Sequence, residues 1–172
     1  VTIGISPTYP ATGYGYVKTS EDITGDKTIR QFKVERFVEK PNEIKASEYL
    51  KQGGFYWNSG LFVFKISVFL DAVKEFAPEL YADLRKIQAQ LGSPSFEQTL
   101  DTVYRAVQSI SVDYGIMEHA RNIYLVEGNF DWNDLGSWES VYQCSEQDEN
   151  GNVGSGEAIF LESGNSYIHA EK

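Results

Sequence analysis

Cysteine is almost missing from this chain. Cys144 stands alone, so no intrachain disulfide can form and no multi-cysteine metal site exists. A reducing, cytoplasmic setting is the expected one. No stretch reaches the ~18–20 apolar residues needed to cross a bilayer. Val1 to Ser6 lacks the basic segment and long apolar core of a signal peptide. Histidine is limited to His119 and His169, and no Ser-His-Asp or Cys-His arrangement emerges. A covalent nucleophile is therefore not expected. Positive charge is also short, with 15 Lys+Arg against 25 Asp+Glu and a formal net charge of -10. Such a surface repels phosphate backbones and anionic bilayers, so neither nucleic acid nor a membrane is an expected partner. Any phosphate-bearing ligand would need a local cation working against this field. The only methionine is Met117, and the last residues stop within a strand-and-turn pattern. The chain is therefore expected to be a piece of something longer.

What is present is globular in character. With 41% hydrophobic and 14% aromatic residues over 172 positions, there is enough apolar surface for one ordinary core. Val1 to Ser6 reads as a strand, and Ile29 to Glu39 as another whose alternation is imperfect. Pro41 ends that strand and biases Lys40 toward extended backbone. Phe55 to Lys65 is a third, aromatic strand. From Ile66 to Leu91 apolar residues recur at three- and four-residue steps, predicting helix broken at Pro78. Ser93-Pro94 resembles a cap and first turn for a further helix. Asp113 is placed to cap a short helix over Tyr114 to Ala120. Asn122 to Glu127 reads as a buried strand, followed by a loop to Gly136 and a helix from Ser137 to about Cys144. These elements predict an α/β fold, with a mixed sheet flanked by helices. The expected organisation is one domain over residues 1–145, a polar, Gly-rich linker over 146–156 and a small β segment over 157–172.

Four constellations could carry chemistry. In FVEKP (Phe37 to Pro41), Lys40 could supply a mobile charge for phosphate while Glu39 accepts hydrogen bonds from sugar hydroxyls. A solvated strand-end ion pair explains the same residues, and in a regular strand the two would face opposite ways. In DWNDLGSW (Asp131 to Trp138), Asp134 sits between a strand and a helix start. Magnesium is often held by one or two carboxylates plus substrate phosphates, so Asp134 could be a ligand; it could equally cap the helix. The glycines of TGYGY (Thr12 to Tyr16) could let backbone N–H groups approach a ligand, or simply form a turn. Asn58 and Ser59 are polar residues in an apolar strand and need partners, either a hydroxyl-rich ligand or a neighbouring loop.

Taken in order, PTYPATGYGYV (Pro7 to Val17), VERFVEKP (Val34 to Pro41), WNSGLFVF (Trp57 to Phe64), SVDYGIMEHA (Ser111 to Ala120) and FDWNDLGSW (Phe130 to Trp138) resemble the mannose-1-phosphate guanylyltransferase family. Family members more often carry Ala and Lys where this chain has Gly115 and His119. The resemblance implies a Rossmann-like nucleotidyltransferase domain, followed in many members by a left-handed β-helix. It implies transfer of GMP from GTP to mannose 1-phosphate, with magnesium as cofactor. Residue by residue, it implies that Lys40 holds the sugar phosphate and Glu39 the sugar hydroxyls. Gly15 then offers backbone contact to the sugar, and Asn58 completes the pocket. Asp134 binds magnesium, and Asp113 stands behind the residues that touch the sugar. The glycine- and arginine-rich segment that cradles the nucleotide in the family does not occur here. The chain is thus expected to be the second half of the nucleotidyltransferase domain and inactive alone. Its incomplete sheet would expose an edge, making a homodimer a reasonable expectation. Another sugar-1-phosphate nucleotidyltransferase, or a non-catalytic sugar-phosphate-binding module, is the alternative.

Overall fold

In the computed structural model, residues 1–25 and 28–170 are described. The chain divides into two units, Val1–Asn129 and Phe130 onward. The first contains β1 (Thr2–Ile5), β2 (Tyr16–Asp22), β3 (Gln31–Val38), α1 (Glu43–Gln52), β4 (Phe55–Phe62), α2 (Ile66–Phe76), α3 (Pro78–Ala89), α4 (Phe96–Ala106), a π-helix (Asp113–Met117) and β5 (Tyr124–Gly128). The sheet order is β1-β4-β2-β3-β5, and β5 returns to β1 to close a barrel. Within this sheet, the β1–β5 pair alone among the described residues is parallel, with Gly4 opposite Glu127. The expected exposed edge is therefore absent from the five-stranded sheet, because the closing strand comes from within this chain.

The core explains the pattern of each strand. Val17, Phe32, Val34, Phe37, Tyr56 and Leu125 come from the sheet, while Val73, Ile116, Met117 and Ile123 come from helices and their connections. In β3, Phe32 and Val34 are buried and alternate with exposed neighbours, but the next buried residue is Phe37. Thr19 pairs with Val34 and Lys18 with Arg36, so Glu35 is an extra residue on β3. The imperfect alternation in the sequence is this bulge.

Helix breaks follow local chemistry. Pro78 starts α3 in the first-turn position, directly after Ala77 closes α2 at φ -134°, as the sequence predicts. The N-cap position of the next helix is Ser95, with no side-chain capping bond, rather than Ser93, whose hydroxyl donates to the Gln90 carbonyl at 2.8 Å. Asp113 is not a cap either. It is the first residue of the π-helix, and its carbonyl accepts from Glu118 N–H at 2.9 Å. In the first unit β2 and α1 have no counterpart in the sequence reading. The signals for α1 were present: Asn42 Oδ1 accepts from Lys45 N–H at 3.0 Å, and Gly53 ends the helix at φ 69°.

The second unit holds α5 (Trp138–Cys144) and a parallel pair, β6 (Val153–Ser155) with β7 (Tyr167–His169). The stretch 146–156 is not a free linker. Asp148 Oδ1 accepts from Asn150 N–H at 2.9 Å and Asn152 N–H at 2.7 Å, folding the polar residues into a turn ahead of β6. Asn152 is buried, donates to Ser163 O at 3.0 Å and accepts from Ser166 N–H at 3.2 Å. Polar composition here serves a hydrogen-bonded turn, which is why it looked like a linker.

Candidate functional site

Strand register assembles three of the candidate residues. Tyr16 pairs with Val38 on one side and Trp57 on the other. One step further along the three strands lie Gly15, Glu39 and Asn58, and Asn58 N–H donates to Gly15 O at 2.8 Å. Cross-strand neighbours face the same way, so this row shares a face with the buried row Val17, Phe37 and Tyr56 two residues on. The polar row thus sits at the margin of the apolar core.

Within it, Gly15 sets the approach distance. A Cβ there would stand 2.5 Å from Oε2 of Glu39 and 3.4 Å from Cβ of Asn58. Only glycine lets the carboxylate lie over β2. Lys40 does not follow the extended conformation expected before Pro41; its φ is 39°. This left-handed residue turns the chain, so that Lys40 Nζ lies 3.4 Å from Glu39 Oε1 instead of on the opposite face. The pair is weak, because the lysine side chain is 63% exposed and the glutamate 18%. An exposed ion pair contributes about 0–1 kcal/mol, so the ammonium can exchange its partner for a phosphate. From behind the row, Asp113 Oδ1 accepts from Asn58 Nδ2 at 2.8 Å.

The opposite face carries a support that the sequence reading did not identify. Trp57 meets Tyr9 edge-on with ring centroids 4.9 Å apart, and Tyr14 at 5.2 Å. The Tyr16 hydroxyl donates to Ala11 O at 3.0 Å, and burial pushes its pKa up. Together these rings tie residues 9–14 to the sheet and fix where Gly15 lies. The signal was the tyrosine spacing of TGYGY beside the aromatic start of β4.

Asp134 belongs to the second unit. The helix that follows is capped by Ser137, whose Oγ accepts from Ser140 N–H at 3.1 Å, so Asp134 is not the cap. Its Oδ1 accepts from Gly136 N–H at 3.0 Å, and Asn133 Oδ1 accepts from Leu135 N–H at 2.8 Å, with Leu135 at φ 50°. A Cβ at Gly136 would stand 2.6 Å from Asp134 Oδ2. The carboxylate is thus held by its own loop. Among the described residues no group of three or more His, Cys, Asp and Glu side chains could hold a metal. Asp134 offers one carboxylate, which fits magnesium only as one ligand among phosphate and water oxygens.

Comparison with known proteins fits this arrangement. The nucleotidyl transferase family profile matches residues 1–151. A mannose-1-phosphate guanylyltransferase of Escherichia coli strain K12 is 36% identical over 99% of the chain and 36% of its own length. That of Klebsiella pneumoniae is 37% identical over 100% of the chain and 36% of its length. A crystal structure from Thermus thermophilus, described as a mannose-1-phosphate geranyltransferase, superposes with a TM-score of 0.72 at 32% identity, covering 91% of this chain and 43% of that one. The chain therefore spans about a third of the length of the curated relatives it matches. These matches carry no support for placing it in the second half of a catalytic domain. No helix among the described residues is long and apolar enough to cross a membrane. The chain belongs to the nucleotidyl transferase family.

Proposed function

We propose that this chain supplies the acceptor side of a mannose-1-phosphate guanylyltransferase, which transfers GMP from GTP to mannose 1-phosphate to give GDP-mannose and pyrophosphate. The observation that carries the reading is the polar row of Gly15, Asn58 and Glu39, with Lys40 turned beside it and Asp113 behind Asn58. A donor amide, an acceptor carboxylate and one mobile cation at the margin of an apolar core match a hydroxyl-rich ligand bearing a phosphate. Guanylyltransferase relatives at 36–37% identity support the substrate class.

The roles follow from chemistry. Lys40 takes the sugar phosphate, giving up Glu39, whose carboxylate then accepts from sugar hydroxyls. The sugar-phosphate oxygen attacks the α-phosphorus in line, so catalysis is mostly positioning and charge neutralisation. Magnesium, when bound, neutralises phosphate charge, and Asp134 would contribute a carboxylate to it. No residue of this chain is assigned to guanine. A reducing, cytoplasmic compartment belongs to the same proposal.

Calorimetric titration of the chain with mannose 1-phosphate tests it. Saturable binding is expected, tightened by magnesium, with at least roughly tenfold weaker binding for Lys40→Ala. Asp134→Asn should remove the magnesium dependence. A Lys40→Ala protein that binds like the unmodified chain would defeat the assignment of Lys40. Stronger binding of a different hexose 1-phosphate would move the reading to another sugar nucleotidyltransferase. Binding that ignores magnesium would favour a non-catalytic module.

A further inference from the structure

A cavity of about 410 Å3 lies where α2 gives way to α3, beside the end of α4 and the π-helix. Its volume falls within the roughly 300–1,000 Å3 usual for small-molecule sites. Phe76, Leu80, Val107 and Ile110 supply apolar wall, and the Phe76 ring stacks on His119 with centroids 6.0 Å apart. Gly115 of the π-helix completes that wall. The backbone does not demand glycine there, because its φ is not positive. Nor does crowding demand it, since an added Cβ would meet only Ile110 side-chain carbons at 3.5 and 3.6 Å, an ordinary contact. Glycine weakens a helix relative to alanine. What Gly115 provides is open space against Ile110.

The polar part of the wall is acidic. Glu79 and Asp83 stand four residues apart on α3, so they share one face of that helix. Glu79 has no ion-pair partner among the described residues. Asp83 holds Lys86 at 2.6 Å, but the lysine side chain is 65% exposed and can release to water, whereas that of Asp83 is 22% exposed. No Lys, Arg or His side chain among the described residues lines the cavity. The helix ends do not offset the carboxylates. The start of α3 and the end of α4 both border the space, and their partial charges, about +0.5 and about -0.5, oppose each other. Pro78, in the first turn of α3, has no N–H to offer an anion.

We propose that this cavity binds an organic monocation, an ammonium group carried on a compact apolar body. The ammonium displaces Lys86 from Asp83 and lies between that carboxylate and Glu79, while the body packs against Phe76 and Ile110 over Gly115. The proposal stands apart from the sugar-phosphate reading, whose residues do not line this cavity.

The chain is titrated with tryptamine, with its neutral counterpart tryptophol and with the anion indole-3-acetate, followed by backbone amide NMR. Tryptamine should saturate one site and shift the amides of Leu80, Ile110 and Gly115. Tryptophol should bind at least roughly tenfold more weakly, because a charge-assisted hydrogen bond becomes a neutral one. Indole-3-acetate should leave those amides unmoved. Glu79→Gln combined with Asp83→Asn should keep the melting temperature and abolish the preference for the amine. Gly115→Leu should exclude all three ligands; where that variant does not fold, Ile110→Trp, at an exposed position, fills the same space. Equal binding of tryptamine and tryptophol would overturn the proposal, as would an amine preference that survives loss of both carboxylates. Shifts scattered over the surface with none gathered at the cavity would mean adventitious attraction by the net charge of -10, and would overturn it too. So would the absence of any shift at these amides with tryptamine, phenethylamine and cyclohexylamine alike.

Discussion

At Lys40, a backbone conformation that is costly to the fold sets a cation beside the candidate site. A lysine at φ 39° gives up about 1 kcal/mol relative to an unstrained conformation. In exchange it points its ammonium to the same side as Glu39, which a regular strand end would forbid. Replacing it by glycine and by alanine should separate the two roles. Lys40→Gly is expected to raise thermal stability, by up to about 1 kcal/mol, while Lys40→Ala keeps the strain. Both should lose mannose 1-phosphate binding to a similar degree. Equal melting temperatures for the two variants would show that the backbone at this position is not strained. The sequence made the Glu39–Lys40 pair visible as a candidate but hid its geometry. The rule that a residue before proline is extended pointed the wrong way, because the turn into α1 prevails here.

Among the elements, those defined by hydrophobic repetition were legible and those defined by hydrogen bonding were not. The α2–α3 break at Pro78 and the strands β1, β3 and β4 followed from periodicity and proline. Strand β2 did not, since YVKTSED loses its apolar alternation after Val17, and its place is set by pairing to β3 and β4. Helix α1 is short and polar, with only Ala46 buried, so no apolar stripe announced it. Its ends carry the information instead. Asn42→Ala should cost about 1 kcal/mol, the usual value of a lost N-cap, read as a lower melting temperature. No change would mean that Pro41 and the packing of α1 hold the helix start without the cap. A short helix after Asp113 was legible, but its π form was not. Asp113 could be assigned to a helix start, but nothing in SVDYGIM marks a five-residue hydrogen-bond step. Of the candidate site, the residues could be named from the sequence, whereas their arrangement could not.

At the scale of the whole molecule, each unit has a carboxylate whose pKa is lowered by hydrogen bonds, Asp22 in the first and Asp148 in the second. Asp148 in the second unit has its carboxyl held below the usual range, chiefly by the backbone N–H of Asn152. A depressed folded-state pKa means that the stability it adds is fully present above the unfolded value, near 4. It is lost as pH falls through the lower folded value. Asp148→Asn should flatten the acid-side loss of structure around Trp138 and Tyr167, whose rings lie 5.5 Å apart, as followed by fluorescence. An unaltered acid profile would show that this turn does not control the second unit.

The closed sheet has a consequence for synthesis. Thr2 to Ile5 pair with Phe62 to Trp57 and with Leu125 to Gly128. Once made, β1 cannot find its parallel partner until more than a hundred further residues have emerged. Pairings between such distant residues form slowly, because loop-closure entropy must be met before the contact forms. β1 and its neighbours therefore wait with unpaired backbone on the growing chain, and the β1–β5 seam is expected to close last. A newly made chain would be most open to chaperones, or to mispairing with another chain, during that interval.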